Sequence, residues 1–256
     1  MAIFPLDGPV GPLTGLVSAG DAGAGVPLVL VHGIQGTASS WSGVMEQLPD
    51  GVAAFAPNLR GRGGSAVPRE VEAYSLEGFA ADLATVVEAA GVPVLLAGWS
   101  MGVPVALEYL RRTGHGRVLG LALISGTPCP GVDGAVWFRG AGADDIAAEA
   151  RDRARRLGLR EWADPIAVAG AWLACRRTDL RTMLPEICCP TLVLHGTEDD
   201  QCPYSHGELL ARKIPGARLV TLPEQGHNVL AGVPGIVARE LIAFRSNPSS
   251  TGECNA

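Results

Sequence analysis

Six short runs of apolar residues, separated by stretches of helical sequence, indicate the fold class of this chain. Each run is nearly continuously apolar, a pattern typical of strands that are buried on both faces of a parallel sheet. Alternating strands and helices also predict right-handed crossovers between parallel strands. We therefore predict an α/β fold with a mostly parallel central sheet flanked by helices. The predicted strands are residues 26–33, 52–59, 92–98, 118–126, 190–196 and 217–224.

Three segments outside these strands are predicted to be helices. In residues 76–91 and 102–114 the apolar side chains recur at helical intervals, and each pattern stops at a glycine. Pro104 falls in the first turn of the second helix, where proline is tolerated. Residues 235–244 are predicted to form the last helix.

One segment interrupts the alternation of strands and helices. Residues 127–186 contain no convincing strand, and their sequence is helical or irregular. Open α/β folds bind ligands at the carboxyl ends of their strands, so we predict that this segment is a small helical cap inserted before the penultimate strand. The core is then formed by residues 1–126 and 187–245, and residues 246–256 are predicted to be a disordered tail.

Composition and charge exclude several classes of partner. The chain has 256 residues, of which 47% are hydrophobic, enough for one large α/β domain or two small ones with a well-buried core. The net charge is −6 and Lys213 is the only lysine, so there is no basic stripe for nucleic acid. No apolar run reaches the roughly 20 residues of a membrane span, and the N-terminus lacks the pattern of a signal peptide.

The pattern of the six cysteines indicates the redox state of the protein's cellular compartment and whether a metal site is expected. They form no CxxC pair and no regular framework, which is typical of reduced thiols in the cytosol. The adjacent Cys188 and Cys189 would suit a metal or redox site, but two small apolar residues entering a strand are the simpler explanation. We therefore expect a cytoplasmic protein that uses no metal and no cofactor.

The sequence "GWSMG" at residues 98–102 matches the G-x-S-x-G pattern of a nucleophile elbow. It directly follows a predicted strand and directly opens a predicted helix, as that pattern requires. The turn forces the serine into a strained backbone geometry, and side chains at the two glycine positions would collide with neighbouring elements. The helix N-terminus leaves backbone N–H groups unpaired beside the hydroxyl. We predict that Ser100 is a nucleophile, with an ordinary glycine-rich turn as the alternative.

A serine hydroxyl is a poor nucleophile near neutral pH and needs a base. His227 lies in a loop between the last predicted strand and the last predicted helix, whereas His195 ends a strand and is expected to pack or hydrogen-bond locally. A carboxylate must in turn orient the imidazole. The loop after the penultimate strand offers Glu198, Asp199 and Asp200, and the chemistry of the residues does not decide among them.

Five motifs in a characteristic order identify a family resemblance. The chain resembles the α/β-hydrolase fold superfamily, of the capped serine-esterase type, from about residue 26 to residue 244. Together the motifs are more specific than any one alone. They are "HGIQG" at residues 32–36, "PNLRGRGGS" at 57–65, "GWSMG" at 98–102, "GTED" at 196–199 and "GHN" at 226–228.

The resemblance implies a Ser-His-Asp triad and an oxyanion hole. The family places its base after the last strand, at His227, and its acid three residues after the glycine of the penultimate loop, at Asp199 and not Asp200. The backbone N–H groups of Ile34 and Met101 would be the oxyanion donors. One departure is that many relatives carry a further glycine directly after the elbow, where this chain has Val103; we expect altered helix packing there.

These features predict a carboxylic-ester hydrolase that acts through an acyl-enzyme on a small to medium, partly apolar substrate. A serine at position 100 excludes the reactions of this fold that use an aspartate nucleophile. Lactonase or acyl-thioesterase activity with the same triad is the first alternative. The second alternative is a non-catalytic, ligand-binding member of the fold. Carbon–carbon bond hydrolysis and a haloperoxidase side activity are two less favoured alternatives.

Two features concern the substrate and its partners. Trp99, Trp137, Phe138 and Trp172 are candidates for lining an apolar pocket, and core packing explains them equally well. The arginines of "EARDRARRLGLR" at residues 149–160 are best explained by a solvated helix whose basic end opposes the macrodipole. The alternative is a docking face for an acidic carrier protein or an anionic acyl group. The sequence does not predict the oligomeric state.

Overall fold

The computed structural model describes residues 1–20 and 25–246, and an eight-stranded sheet forms its centre. The strands are β1 (Ala2–Gly8), β2 (Gly11–Val17), β3 (Leu28–Val31), β4 (Ala54–Asn58), β5 (Val94–Trp99), β6 (Val118–Ile124), β7 (Thr191–Gly196) and β8 (Arg218–Leu222). Their order in the sheet is β1-β2-β4-β3-β5-β6-β7-β8. Strands β3 to β8 pair in parallel, and β1 and β2 run antiparallel to their neighbours. The predicted α/β fold with a mostly parallel sheet is confirmed, and all six predicted strands are present.

Eight α-helices accompany the sheet within the described residues. They are α1 (Ser42–Met45), α2 (Leu76–Ala89), α3 (Gly102–Thr113), α4 (Ala143–Arg156), α5 (Pro165–Cys175), α6 (Tyr204–Lys213), α7 (Val229–Gly232) and α8 (Pro234–Ser246). The three predicted helices correspond to α2, α3 and α8. The side chain of Ser75 caps α2 by accepting from the Gly78 amide at 3.1 Å. None of the helices in the described ranges is long and apolar enough to cross a membrane.

Strands β3 to β7 are buried on both faces of the sheet, as their continuous apolar runs predict. Leu28 and Leu30 of β3 belong to a cluster that also contains residues of α8, whereas Val29 and Val31 belong to a cluster with residues of α2 and α3. Successive side chains of a strand point to opposite faces, so the two clusters lie on opposite sides of the sheet. Their burial is the main favourable term in the stability of this architecture.

The hairpin of β1 and β2 is the part of the sheet that was not predicted from the sequence. It forms the edge of the sheet, and the side chains of β1 are all exposed or half-exposed. A half-exposed edge strand does not require a continuous apolar run, so its sequence does not show the pattern used to predict the other strands. Both strands also contain a proline, Pro5 and Pro12, a residue that argues against a central strand but is tolerated at an edge.

Two helices, α4 and α5, lie between β6 and β7, and no strand occurs among residues 127–186. Apolar residues of this segment, including Ile146 and Trp172, share a buried cluster with Val29 and Val31 of β3. Helices α4 and α5 pack on each other, and α5 also contacts α2 and residues 71–74. Its division from the core as a cap domain stays a prediction.

Two further predictions concern the end of the chain and the cysteines. The predicted disordered tail lies outside the described residues, except for Ser246, which ends α8. Among the described cysteines, four are buried free thiols: Cys129, Cys175, Cys189 and Cys202. Cys188 is disulfide-bonded, so the expectation of reduced thiols is wrong for this residue. The spacing of the cysteines carried no signal of that bond.

A buried ion pair ties the loop after β4 to helix α2. The Arg60 guanidinium donates to both carboxylate oxygens of Asp82, at 2.9 and 2.7 Å, and its backbone amide donates to the same carboxylate at 2.9 Å. A third guanidinium nitrogen donates to the Ala73 carbonyl at 3.0 Å. Both side chains are almost wholly buried, so removal of either partner leaves an uncompensated charge.

We expect Asp82→Ala to lower the free energy of unfolding by about 3–5 kcal/mol, because Arg60 would remain charged, buried and unpaired. Urea unfolding at neutral pH measures the change. Asp152→Ala is the matched control, since Asp152 pairs with Arg155 on the exposed face of α4 and exposed pairs contribute little. Equal losses for the two variants would contradict this account of the buried pair.

Candidate active site

Ser100 occupies the sharp turn between β5 and α3. Strand β5 lies near the middle of the sheet, between β3 and β6. The backbone of Ser100 has φ of +58°, a left-handed conformation that is unusual for a residue with a side chain. Its amide donates to the Ile124 carbonyl at 2.9 Å, which helps to hold the turn. The side chain of Ser100 is thereby presented at the carboxyl ends of the strands.

The glycines on either side of Ser100 are required by close backbone contacts. A Cβ atom at Gly98 would lie 2.2 Å from the carbonyl oxygen of Gly102, and one at Gly102 would lie 2.4 Å from that of Val31. The expected difference in packing at Val103 also has a physical basis. A Cβ atom at Gly126 would lie 2.4 Å from Val103 Cγ2, so Val103 fills space that a glycine on the neighbouring strand end leaves open.

A continuous chain of hydrogen bonds joins Ser100, His227 and Asp199. Ser100 Oγ lies 2.8 Å from His227 Nε2, and His227 Nδ1 lies 2.9 and 3.0 Å from the two carboxylate oxygens of Asp199. An ionised carboxylate can only accept, so Nδ1 carries the proton and Nε2 keeps the lone pair that accepts from the serine hydroxyl. The three predicted residues are thus brought together in the order that nucleophilic catalysis requires.

Four donors converge on the Asp199 carboxylate. Besides His227, they are the Gln201 and Cys202 amides, at 2.9 and 2.8 Å, and His195 Nε2, at 3.3 Å. Burial alone would raise the pKa of Asp199, but the hydrogen bonds from the two imidazoles and from the Cys202 amide hold that pKa well below its usual range. The carboxylate is therefore ionised at neutral pH. Asp200, the alternative acid, is exposed.

His195 does more than the local hydrogen bonding expected of it. Its Nε2 lies 2.7 Å from the Cys202 carbonyl, an acceptor only, so this nitrogen carries the proton and also faces Asp199. The imidazole is completely buried. His195 therefore supports the loop that holds Asp199. Its place at the end of β7, immediately before that loop, is the signal in the sequence that points to this contact.

Trp99 supports the loop that carries His227. Its indole Nε1 donates to the His227 carbonyl at 3.2 Å, and the two rings lie 5.6 Å apart. The residue directly before the nucleophile thus contacts the residue predicted to be the base. Among the four aromatic candidates, Trp99 is the one placed at the site.

The loop after β3 passes directly beside Ser100. A Cβ atom at Gly33 would lie 3.2 Å from Ser100 Cβ. Within the part of the chain that the structure describes, neither the Ile34 amide nor the Met101 amide donates to a protein acceptor. Arg62, a buried side chain, donates to the Ile34 carbonyl at 2.9 Å and fixes this residue. Two unpaired donors beside the hydroxyl are what an oxyanion hole requires.

A cavity of about 480 Å³ opens onto Ser100 and His227. Apolar side chains line part of it, including Ile34, Trp99 and Leu230, and a guanidinium is present at Arg153. Its size and mixed lining are typical of a site for a small organic molecule. Within the described ranges, no group of three His, Cys, Asp or Glu side chains is arranged to hold a metal ion.

The remaining aromatic candidates lie in the packed interior and are not among the residues that line this cavity. Trp137, Phe138 and Trp172 are buried, and their rings pack on one another at centroid distances of 5.3 and 6.4 Å. Trp137 also donates to the Gln201 carbonyl at 3.2 Å. These residues act through packing, and Trp137 braces the loop beyond Asp199.

The arginine side chains of α4 have two different environments, since some are exposed to solvent and one lines the cavity. Arg155 is exposed and pairs with Asp152, as the solvated-helix explanation predicts. Arg153 instead turns towards the cavity, where it contacts Gln201 Oε1. The sequence shows the arginine cluster but does not distinguish Arg153 within it, because the orientation of α4 decides which of its arginines faces the site.

Comparisons with known proteins agree with this geometry. A sequence model of the Alpha/beta hydrolase family matches residues 28–240. The pimeloyl-[acyl-carrier protein] methyl ester esterase of Aromatoleum aromaticum is 30% identical over 234 residues, which cover 78% of this chain and 90% of that esterase. The structure of esterase RhEst1 from Rhodococcus sp. ECU1013 has a TM-score of 0.80 at 25% identity, covering 97% of this chain and 100% of its own. A bromoperoxidase from Bacillus anthracis shares the fold, with a TM-score of 0.82 at 22% identity, covering 96% and 100% of the two chains.

Proposed function

The chain belongs to the α/β-hydrolase family, and we propose that it hydrolyses small-molecule carboxylic esters through an acyl-enzyme formed on Ser100. The observation that carries the proposal is the hydrogen-bonded path from Ser100 Oγ through His227 to the ionised Asp199 carboxylate. The relatives named as esterases support the same reaction class. The cavity beside Ser100 accepts a substrate of small to medium size.

In the first half of the reaction, Ser100 Oγ attacks the acyl carbon of the ester. His227 Nε2 takes the hydroxyl proton, and Asp199 holds the imidazole in the tautomer that can do so and stabilises the imidazolium. The carbonyl oxygen becomes an oxyanion, which accepts from the Ile34 and Met101 amides. His227 then gives its proton to the alkoxide leaving group, and the alcohol departs as the acyl-enzyme forms.

In the second half, a water molecule replaces the alcohol and the same groups act again. His227 removes a proton from the water, and the resulting hydroxide attacks the acyl carbon on Ser100. The second tetrahedral oxyanion is stabilised by the same two amides. Return of the proton to Ser100 Oγ releases the carboxylic acid and restores the starting state.

A methyl ester attached to a carrier protein is a second candidate substrate. The name of the Aromatoleum aromaticum relative favours it. The exposed pair of Arg155 with Asp152 favours the free small molecule instead, because a neutralised arginine offers less to an acidic partner. The non-catalytic alternative is disfavoured by the short contact between Ser100 and His227, which a ligand-binding protein has no need to keep.

Labelling with a fluorophosphonate probe tests the proposal directly. We expect rapid covalent modification, mapped by mass spectrometry to the peptide that contains Ser100, because the activated hydroxyl attacks phosphorus as it attacks an acyl carbon. Ser100→Ala should remain unlabelled. Equal labelling of both proteins would contradict the assignment of Ser100.

A further inference from the structure

Arg153 is a guanidinium in the active-site cavity whose direct partners are all neutral. It donates to Gln201 Oε1 and, at 3.5 Å, to the Trp137 carbonyl, and its guanidinium carbon lies 5.5 Å from the centre of the Phe138 ring. No carboxylate within the described residues lies within ion-pair distance of it. Arg153 is half-buried and lines the cavity, so its guanidinium can form an ion pair with an anion that enters the cavity.

The nearby carboxylates do not pair with Arg153. Burial lowers the pKa of Arg153, and the charges of Asp200 and Glu149 oppose this effect from beyond contact distance. The Glu149 carboxylate accepts instead from the Arg139 and Gly140 amides, at 2.8 and 3.1 Å. Glu161 also lines the cavity but is exposed, where water screens its charge.

The position of Arg153 is fixed by the same loop that holds Asp199. Gln201 accepts from the guanidinium through its side chain, and its backbone amide donates to the Asp199 carboxylate at 2.9 Å. The cation is thereby linked to the hydrogen-bonded path of Asp199, His227 and Ser100. An arginine held in this way can bind a carboxylate or phosphate through paired hydrogen bonds.

We propose that Arg153 binds an anionic group of the substrate, so that the preferred substrates are esters carrying a second, charged group. This inference rests on the proposed ester hydrolysis. The scissile ester lies at Ser100, the anion lies at Arg153, and apolar atoms between them contact the wall of the cavity. The chemical class is an ester of an acid or alcohol that also bears a carboxylate or a phosphate.

The experiment compares monomethyl and dimethyl esters of the same dicarboxylic acids, from succinic to suberic acid. The two members of each pair differ by one methyl group and one negative charge, and comparing variants through the ratio cancels the second ester group of the diester. We expect Arg153→Gln to reduce the ratio of kcat/KM for the half-ester to kcat/KM for the diester by about 10- to 100-fold, the usual value of a charge-assisted hydrogen bond. Arg153→Lys keeps the charge and should retain part of the preference.

Arg155→Gln is the matched control, because it makes the same change on the same helix but outside the cavity. It should leave the ratio unchanged. An equal effect of Arg153→Gln on the half-ester and the diester would overturn the inference. In that case, continued hydrolysis of the diester would leave the proposed function intact, whereas failure of the wild-type protein to cleave any ester would count against the function itself.

A third set of probes separates the two sources of the anion. Methyl esters of ω-phosphonoalkanoic acids replace the free carboxylate of the half-esters by a group that resembles a phosphate. A larger loss on the phosphonates than on the half-esters assigns Arg153 to a phosphate-bearing substrate, and the reverse assigns it to a carboxylate. A loss on neither class overturns the inference.

Discussion

Ser100→Ala is expected to lower kcat for ester hydrolysis by about 10⁴–10⁶-fold while leaving the fold intact. The change removes the atom that attacks the acyl carbon but leaves the Ile34 and Met101 amides in place. Some residual acceleration over water should therefore persist, because an oxyanion hole and substrate binding contribute without a nucleophile. Initial rates with p-nitrophenyl esters, compared with the uncatalysed rate, measure both quantities.

Ser125→Ala is the matched control for this variant. Ser125 directly follows β6 as Ser100 directly follows β5, is also buried, and also has a positive φ, of 42°. Its hydroxyl has no hydrogen-bond partner within the described residues, so its removal breaks no contact. We expect near-normal activity. A comparable loss of kcat in the two variants would show that the damage comes from the strained turns and not from the nucleophile.

The parts of the fold that could be predicted are those whose burial requires a recognisable pattern of apolar residues. A strand covered on both faces must be mostly apolar, and β3 to β7 are therefore recognisable in the sequence as continuous apolar runs. The β1–β2 hairpin meets no such requirement, because β1 lies at the open edge of the sheet and its side chains are exposed or half-exposed. The disulfide bond of Cys188 was not predicted because disulfide pairing depends on distances between cysteines in the folded chain, which their spacing in the sequence does not give.

The sequence predicted those site residues whose positions follow from the order of motifs along the chain. It does not show in which direction a side chain points. Ser100 and His227 follow particular strands, so the sequence of motifs suffices to nominate them. The residues alone did not decide between Asp199 and Asp200, and the family resemblance nominated Asp199. The roles of the three aromatic candidates within residues 127–186 depend on how that segment packs. Arg153 was hidden for the same reason, because neighbouring arginines on α4 differ only in the direction they face.

Asp199→Asn is expected to lower kcat by about 10⁴-fold with little change in KM. The carboxylate accepts from His227 Nδ1 through both of its oxygens. An amide in its place can donate to Nδ1, which would move the imidazole proton to Nε2, the nitrogen that must accept from Ser100 Oγ. The geometry would survive, but the base would carry its proton on the wrong side. Burst kinetics with a p-nitrophenyl ester measure the rate of acylation directly.

Asp200→Asn distinguishes the two candidate acids, because it makes the same change one residue further along the loop. Asp200 is exposed, and its charge raises the pKa of Arg153, so a neutral ester is the appropriate substrate. We expect nearly unchanged acylation. A large loss in Asp200→Asn together with an active Asp199→Asn would contradict the assignment. Such a result would mean that the loop rearranges when substrate binds. In the present geometry His227 Nδ1 is hydrogen-bonded to Asp199 and Asp200 is exposed.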